Sequence, residues 1–360
     1  MSGGRGPAPR APGARRRDPT RVSADALVRA GWLPGAPGLP LVVEPNVEGL
    51  DPVGWAEGAR PWLEARLLEA GALLFRGFRV PDARAFRAFA AASGGGALLD
   101  YVERAAPRTA VAPQVYTSTE FAADQPIPLH HEMSYSHNWP ARLWFYCARP
   151  APRGGATPLA SEREVTRRLP DGLKRRFVER GLAYVRNYGE GVDLGWREAF
   201  QTDDPAEVEA YCRASGAAFE WREGGRLRTR SPRRAMVEHP RTGERLWFNH
   251  AYIFHETNLP PEVRASLRAR FGPDEMPRNA FYGDGSPIEP EALALVRAAY
   301  EAAAVRFDWQ EGDVLMVDNV LAAHGRDPFE GPRTVLVAMA DLRVSASDEG
   351  GGPGPGLGGP

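Results

Sequence analysis

Short apolar runs lying close to histidines constrain this chain more than any other feature. Leu143-Trp144-Phe145-Tyr146, Arg245-Leu246-Trp247-Phe248, Asp313-Val314-Leu315-Met316-Val317 and Thr334-Val335-Leu336-Val337-Ala338-Met339 read as strands. Ala72-Leu73-Leu74-Phe75 and Ala183-Tyr184-Val185 read as shorter ones. The helices differ in texture and in place. Asp51 through Ala70 carries Trp55, Trp62, Leu63 and Leu67 at helical spacing, and Gly71 ends it; Pro81-Asp82 opens a second helix with Phe86 and Phe89 on one face. Others begin at Pro170, Asp204-Pro205, Pro260-Pro261 and Pro290, each with proline near the first turn, where its missing N–H costs least. Strands gather with the histidines, while helices dominate the start and the middle. This order suits a β-sandwich or barrel core under helical cover, not an alternating βαβ series.

The ends part from the body by composition. Residues 1–20 hold Gly, Pro and Arg, and Arg15-Arg16-Arg17 is not followed by an apolar run, so a solvated basic tail is expected rather than an export signal. Residues 345–360 read as a flexible Gly/Pro-rich tail, which leaves 21–344 as one elaborated domain. With 45 Lys+Arg against 46 Asp+Glu, the chain lacks the basic excess of a nucleic-acid binder. No stretch approaches the roughly 18 consecutive apolar residues of a membrane-spanning helix. Cys147 and Cys212 form neither a disulfide framework nor a zinc motif, and a reducing cytoplasm is the expected setting.

The seven histidines carry the chemistry. In an extended His130-His131-Glu132, His130 and Glu132 share a face while His131 points the opposite way, so an imidazole and a carboxylate can take adjacent positions on a metal. Alone this pair is weak, since about one His-x-acid match is expected by accident in such a chain. A second element sharpens it. Trp309-Gln310-Glu311-Gly312-Asp313 leads into a strand ending at Asp318-Asn319, His324-Gly325-Arg326 follows a short loop, and Arg333 opens the next strand. An early His-x-carboxylate, a late His and an Arg beyond it match the two-His, one-carboxylate triad of non-haem Fe(II) oxygenases. Such a triad leaves three positions open, two for the keto-acid chelate of 2-oxoglutarate and one for O₂. Arg333 would supply a two-point clamp for the distant carboxylate. Residues 149–159, with Gly154-Gly155 and Thr157, read as a hairpin returning from the strand at 143–149, with Thr157 at the start of the next strand.

These motifs together resemble the taurine-dioxygenase-like (TauD/TfdA) group of Fe(II)/2-oxoglutarate dioxygenases. The nearest branch is that of the syringomycin-biosynthesis hydroxylase, which shares the look of His-x-Glu-x-Ser-Tyr and Trp-Phe-Asn. The resemblance covers roughly residues 40–343. It implies a mainly β double-stranded β-helix (jelly roll) with helical cover and a long helix-containing insertion at roughly 162–232. It implies Fe(II) on His130, Glu132 and His324, with Arg333 on the C5 carboxylate of 2-oxoglutarate and Thr157 hydrogen-bonded to the same co-substrate. Two positions depart from the common pattern. Glu132 is one methylene longer than the usual Asp, and Val337 stands where some members carry a second arginine, so the anchor of the C1 carboxylate is not identified. A carboxylate at 132 implies hydroxylation or desaturation rather than halogenation.

Plainer readings stand beside these. His130 and Glu132 would also suit a surface pair, His324 a core histidine, Arg333 a partner for nearby acids, and Thr157 a hydroxyl bonded to its own backbone. Ser134, Asn249 and Arg326 are the candidates for substrate contact, with core packing or a structural ion pair as alternatives. His131, His137, His239 and His255 are expected to pack or to lie at the surface. The expected activity is hydroxylation of an unactivated C–H of an amino-acid-like small molecule, free or tethered to a carrier protein, in specialised metabolism. Arg222, Arg226, Arg228 and Arg230 would offer cations to such a carrier, or form a solvated face. The competing functions are oxidation of a small sulfonate or carboxylate, a cupin-type metal-dependent hydrolase or isomerase, and a non-catalytic jelly-roll binding protein.

Overall fold

The run Ala72–Phe75 is buried on both faces, which is why it reads as continuous apolar sequence rather than as an alternating one. In a computed structural model, which describes residues 23–100, 108–119, 121–189 and 194–344, this strand lies inside an eight-stranded sheet. The tails expected at 1–20 and 345–360 lie outside the described residues. Across the sheet the strands run Val28–Leu33, Ala36–Pro45, Ala72–Phe75, Val314–Asp318, Asn138–Arg149, Thr334–Val344, Val115–Thr117 and Ala110–Ala112. Ala36–Pro45 pairs with Ala72–Phe75 in parallel, and the other neighbours are antiparallel.

Alternation along these strands divides the core in two. Leu73, Phe75, Trp144, Tyr146, Val314 and Met316 pack with Trp55, Leu63, Phe86 and Phe89 of the two covering helices. Those helices are Pro52–Ala70, with the Asp51 carboxylate accepting from the N–H groups of Val53 and Gly54, and Ala83–Gly94, with Asp82 accepting from Ala85. The opposite face presents Leu74, Leu143, Phe145, Leu315 and Val337 to Leu159 and Ala322 of a second, four-stranded sheet. Its order is Ala304–Val305, Leu159–Ser161, Ala322–Arg326 and Ile127–His130. Two facing sheets under helices are the core that the sequence texture predicts.

The chain leaves the small sheet after Ser161 and rejoins it at Ala304. Between these points lie the helices Glu162–Arg168, Asp171–Arg180, Pro205–Ala214, Pro261–Arg270 and Pro290–Ala303. They accompany a separate antiparallel sheet ordered Ala218–Arg222, Arg226–Arg233, Leu182–Tyr188 and Arg278–Tyr282. The excursion therefore runs well past the expected end near 232. Arg278–Tyr282 pairs edge to edge with Leu182–Tyr188, Leu182 facing Tyr282, a pairing between distant segments that local texture does not display.

Candidate active site

His130 and His324 are direct partners across the antiparallel pair formed by Ile127–His130 and Ala322–Arg326. Their rings lie 4.4 Å apart between centroids, and His324 Nε2 is 3.9 Å from Glu132 Oε2. The ligand atoms of His130, Glu132 and His324 all fall within 4.8 Å of one another, the one His/Cys/Asp/Glu group among the described residues placed to hold a metal. His130 Nδ1 lies 2.8 Å from the carbonyl oxygen of Pro128. Since a carbonyl only accepts, Nδ1 carries the proton and Nε2 keeps its lone pair. Burial holds the His130 imidazole below its usual pKa and that of His324 well below, so both rings are in the neutral, ligating form. Two neutral nitrogens and one carboxylate oxygen are a donor set suited to Fe(II).

Glu132 is held at both ends. Its N–H donates to Asn319 Oδ1 at 2.8 Å, and Asn319 Nδ2 donates to the carbonyls of Glu132 and Pro140 at 2.9 and 2.8 Å. The next residue, Met133, takes the left-handed conformation at φ 57°, so the chain turns sharply just past the carboxylate. At the tip, Arg108 donates from Nη2 to Glu132 Oε2 at 2.7 Å, with both residues buried. The other members of the Glu-Gly-Asp-x-x-x-x-Asp-Asn motif build the frame. Asp313 accepts from Arg76 and from the Gln310 N–H, while Asp318 caps the N–H groups of Val320 and Leu321 and meets His239 Nε2 at 3.1 Å. The sequence placed Asn319 in a motif without a role. It offered nothing for Arg108, which lies far upstream in a segment with no recognisable spacing.

Next to these donors opens a cavity whose wall includes Arg333, Thr157, Phe145 and Val335. Arg333 Nε donates to the Gly155 carbonyl at 3.0 Å, and no carboxylate among the described residues pairs with it. Burial first, and then the neighbouring Arg326, lower its pKa to about 10, which leaves it a cation near neutrality. Thr157 Oγ accepts from Trp309 Nε1 at 3.0 Å, so the hydroxyl proton remains available to a guest in the cavity. The glycine at 155 has a steric cause. Its φ is +72°, and a Cβ there would meet Arg333 Cδ at 2.9 Å and Nε at 3.0 Å.

The three substrate candidates fare differently. Arg326 also borders the cavity, but its two Nη atoms donate to the carbonyls of Thr119, Phe121, Ala122 and Gln125, so it engages backbone oxygens rather than forming an ion pair. Asn249 donates to Ala235 O at 2.9 Å and accepts from Ala251 N at 3.0 Å, which leaves its amide occupied by backbone. Ser134 Oγ sits 3.0 Å from His250 Nδ1, and the His250 ring is 5.6 Å from that of His130. His131 points away from the donors, as alternation requires, and meets the buried Glu162 at 2.8 Å. The arginines on the paired strands Ala218–Arg222 and Arg226–Arg233 are mostly engaged within the chain. Arg222 pairs with Glu220 and Glu275, buried Arg228 with Asp274, and Arg230 donates to the Gly283 carbonyl.

Comparison with known proteins places this geometry in context. The profile of the "Taurine catabolism dioxygenase TauD, TfdA family" matches residues 34–339. The chain is 40% identical over 283 residues to the dapdiamide synthesis protein DdaC of Enterobacter agglomerans, covering 79% of this chain and 86% of that one. It is 35% identical over 289 residues to a clavaminate synthase-like protein of Arabidopsis thaliana, covering 77% and 84%. In fold it is similar to the crystal structure of PvcB from Pseudomonas aeruginosa, with a TM-score of 0.53 at 18% identity over 90% of this chain and 94% of that one.

Proposed function

Because the chain belongs to the taurine catabolism dioxygenase TauD, TfdA family, we propose that His130, Glu132 and His324 hold its Fe(II), and that Arg333 and Thr157 hold its 2-oxoglutarate. The protein is an Fe(II)/2-oxoglutarate-dependent dioxygenase with a jelly-roll core. One observation carries the residue assignment: three donor atoms converge within 4.8 Å at the edge of a cavity whose wall holds a cation with no carboxylate partner among the described residues.

Bound Fe(II), 2-oxoglutarate and O₂ together supply the oxidising power, releasing succinate and CO₂ as one oxygen atom goes to the substrate. The chain's own residues bind, orient and exclude water. Pro128 fixes the His130 tautomer and Asn319 fixes the main chain of Glu132. The planar Arg333 fork suits a carboxylate at two points, and the Thr157 hydroxyl adds a third hydrogen bond from a fixed position. Phe145 and Val335 make that end of the cavity apolar, which strengthens each polar contact within it.

For the substrate we infer hydroxylation of an amino-acid-like small molecule in specialised metabolism. Support comes from the Enterobacter relative, whose name places it in dapdiamide synthesis. A free substrate accounts better for these arginines than a carrier-tethered one, because Arg222, Arg228 and Arg230 already hold partners within the chain. Two buried free cysteines and the absence, among the described residues, of any helix long and apolar enough to cross a membrane are in keeping with a cytoplasmic setting.

The test is succinate release by protein loaded with Fe(II), ascorbate and 2-oxoglutarate, against a panel of free amino acids and their amides. The expected result is substrate-dependent succinate with one oxygen added to one class of amine-bearing acid. Stimulation only by sulfonates or by simple carboxylates would move the substrate class. Stimulation only by a carrier-loaded amino acid would restore the tethered alternative.

A further inference from the structure

Backbone oxygens engage Arg326 so fully that it has charge left to offer a guest but no hydrogen bond. Its two Nη atoms donate to the carbonyls of Thr119 and Phe121 at 3.3 and 3.1 Å, and to those of Ala122 and Gln125 at 2.7 Å each. A guanidinium carries five N–H donors, and the remaining one, on Nε, is buried with no acceptor among the described residues. The residue is 5% exposed, and no carboxylate among the described residues pairs with it. Carbonyl dipoles steady a buried cation, but they bring no net charge to cancel it. Arg326 also has a neighbour of the same sign. Its guanidinium carbon lies 5.2 Å from the centre of the Phe329 ring, and that of Arg333 lies 5.5 Å from the same centre. Both arginines border the one cavity beside the metal donors. Arg333 differs in what it can still donate, since only its Nε is engaged, with the Gly155 carbonyl. Where water is scarce, an anion held at Arg333 is attracted by the charge of Arg326 as well.

We propose that Arg326 is a specificity-determining residue for the co-substrate that acts through its charge: held still by four carbonyls, it is the second cation of the cavity and favours a keto acid that ends in a carboxylate. The proposal rests on the assignment of Arg333 and Thr157 to 2-oxoglutarate above. It separates two tasks, with Arg333 gripping the distal carboxylate and Arg326 attracting it without a hydrogen bond. Removing the charge of Arg326 should therefore be felt by 2-oxoglutarate and not by 2-oxopentanoate, the same keto acid with a methyl group in place of the distal carboxylate. A merely structural role, in which Arg326 only holds the four carbonyls, would weaken both keto acids alike.

The experiment titrates each keto acid into the anaerobic protein loaded with Fe(II). It follows the visible charge-transfer absorption of the iron–keto-acid chelate, with the heat of binding as a second readout. Wild type comes first: absence of a 2-oxoglutarate-induced band there would overturn the site assignment itself, whatever Arg326 does. Given that band, R326Q should bind 2-oxoglutarate about tenfold more weakly or worse, and 2-oxopentanoate within about threefold of wild type. The ratio of the two affinities is the signature sought, because a loosened loop changes both numbers and leaves their ratio alone. R326K restores a cation without the planar fork, so its ratio should return to within about threefold of wild type. An unchanged ratio in R326Q, or a ratio in R326K as low as in R326Q, would each overturn the proposal. Should R326Q not fold, R333Q/T157V decides it with Arg326 intact. There both proposed hydrogen-bonding partners of the distal carboxylate are gone and the charge of Arg326 remains, so a preference of about threefold or more for 2-oxoglutarate should persist. Equal binding of the two keto acids by that protein would leave Arg326 no part in selecting the co-substrate.

Discussion

Arg333 brings a planar cation, and Thr157 a hydroxyl whose proton is still available, to the wall of one cavity, and as the proposed holders of 2-oxoglutarate they would make contacts that differ in kind. Lysine at 333 would keep the charge but lose the two-point fork, so R333K is expected to raise the 2-oxoglutarate KM roughly 10- to 100-fold, about 1.5–3 kcal/mol, with kcat at saturation little changed. Succinate formation against co-substrate concentration measures this, and an unchanged KM would move the clamp elsewhere. T157V removes one neutral hydrogen bond and strands the Trp309 N–H, so a smaller rise of roughly 3- to 10-fold is expected, with some loss of stability. Cys147 shows the same reasoning without function. Burial pushes its thiol up to about 12, so in the native protein it should resist alkylation at pH 8, where an exposed thiol reacts; mass spectrometry after a timed quench reads the difference.

Two connecting elements aim these side chains. The turn at Asp318-Asn319 links the large sheet to the strand bearing His324, and its Asn319 amide makes three hydrogen bonds that fix the main chain at Glu132 and Pro140. N319A leaves those buried groups unsatisfied, so a loss of about 2–4 kcal/mol in unfolding free energy is expected, together with weaker Fe(II) binding. Denaturant titration and metal titration check the two parts separately, and retention of both would remove Asn319 from the frame. The 149–159 segment, expected as a hairpin, instead crosses from the large sheet to the small one, its Arg153–Gly154 pairing with Phe329–Glu330, and it sets the backbone beside Arg333. At Gly155 a methyl group would press on the Arg333 side chain from a backbone conformation that alanine adopts poorly. G155A is therefore expected to cost about 1–2 kcal/mol of stability and to raise the 2-oxoglutarate KM roughly tenfold.

Across the whole molecule, burial of histidine makes stability depend on pH. His255 is held down at about 4 by burial, against about 6.5 in an unfolded chain. Between those values the unfolded state binds the extra proton, so stability rises with pH from about 4 to 6.5 and is flat above. The size is on the order of 2 kcal/mol for this one group. A melting temperature a few degrees lower at pH 5 than at pH 7.5 is expected, and H255N should flatten part of that slope. Equal slopes in the two proteins would exclude His255 as a source. The fold also explains why the excursion between Ser161 and Ala304 behaves as part of the body. Tyr184, Phe177, Trp247, Phe254 and Tyr300 from that excursion pack with Leu129 and Ala160 of the small sheet in one apolar cluster.

The local record in the sequence determined most of the elements. Continuous apolar runs marked strands buried on two faces, Asp51, Asp82 and Gly71 marked helix ends, and period-two alternation put His130 and Glu132 on one side with His131 on the other. Spacing and residue type also singled out His324 and Arg333 as candidates, because the chemistry of a metal and a dianionic guest restricts which side chains serve, while Thr157 entered through the family resemblance. Tertiary structure alone decided what depends on pairing between distant segments. It placed His324 directly opposite His130, carried the insertion on to Arg278–Tyr282, and brought Arg108 to the tip of Glu132. It also showed Arg326 and Asn249 bonded to backbone carbonyls, since which carbonyls a buried guanidinium or amide meets is set by loops folded over it. Periodicity reports the face a side chain occupies, and only the folded chain settles what it meets there.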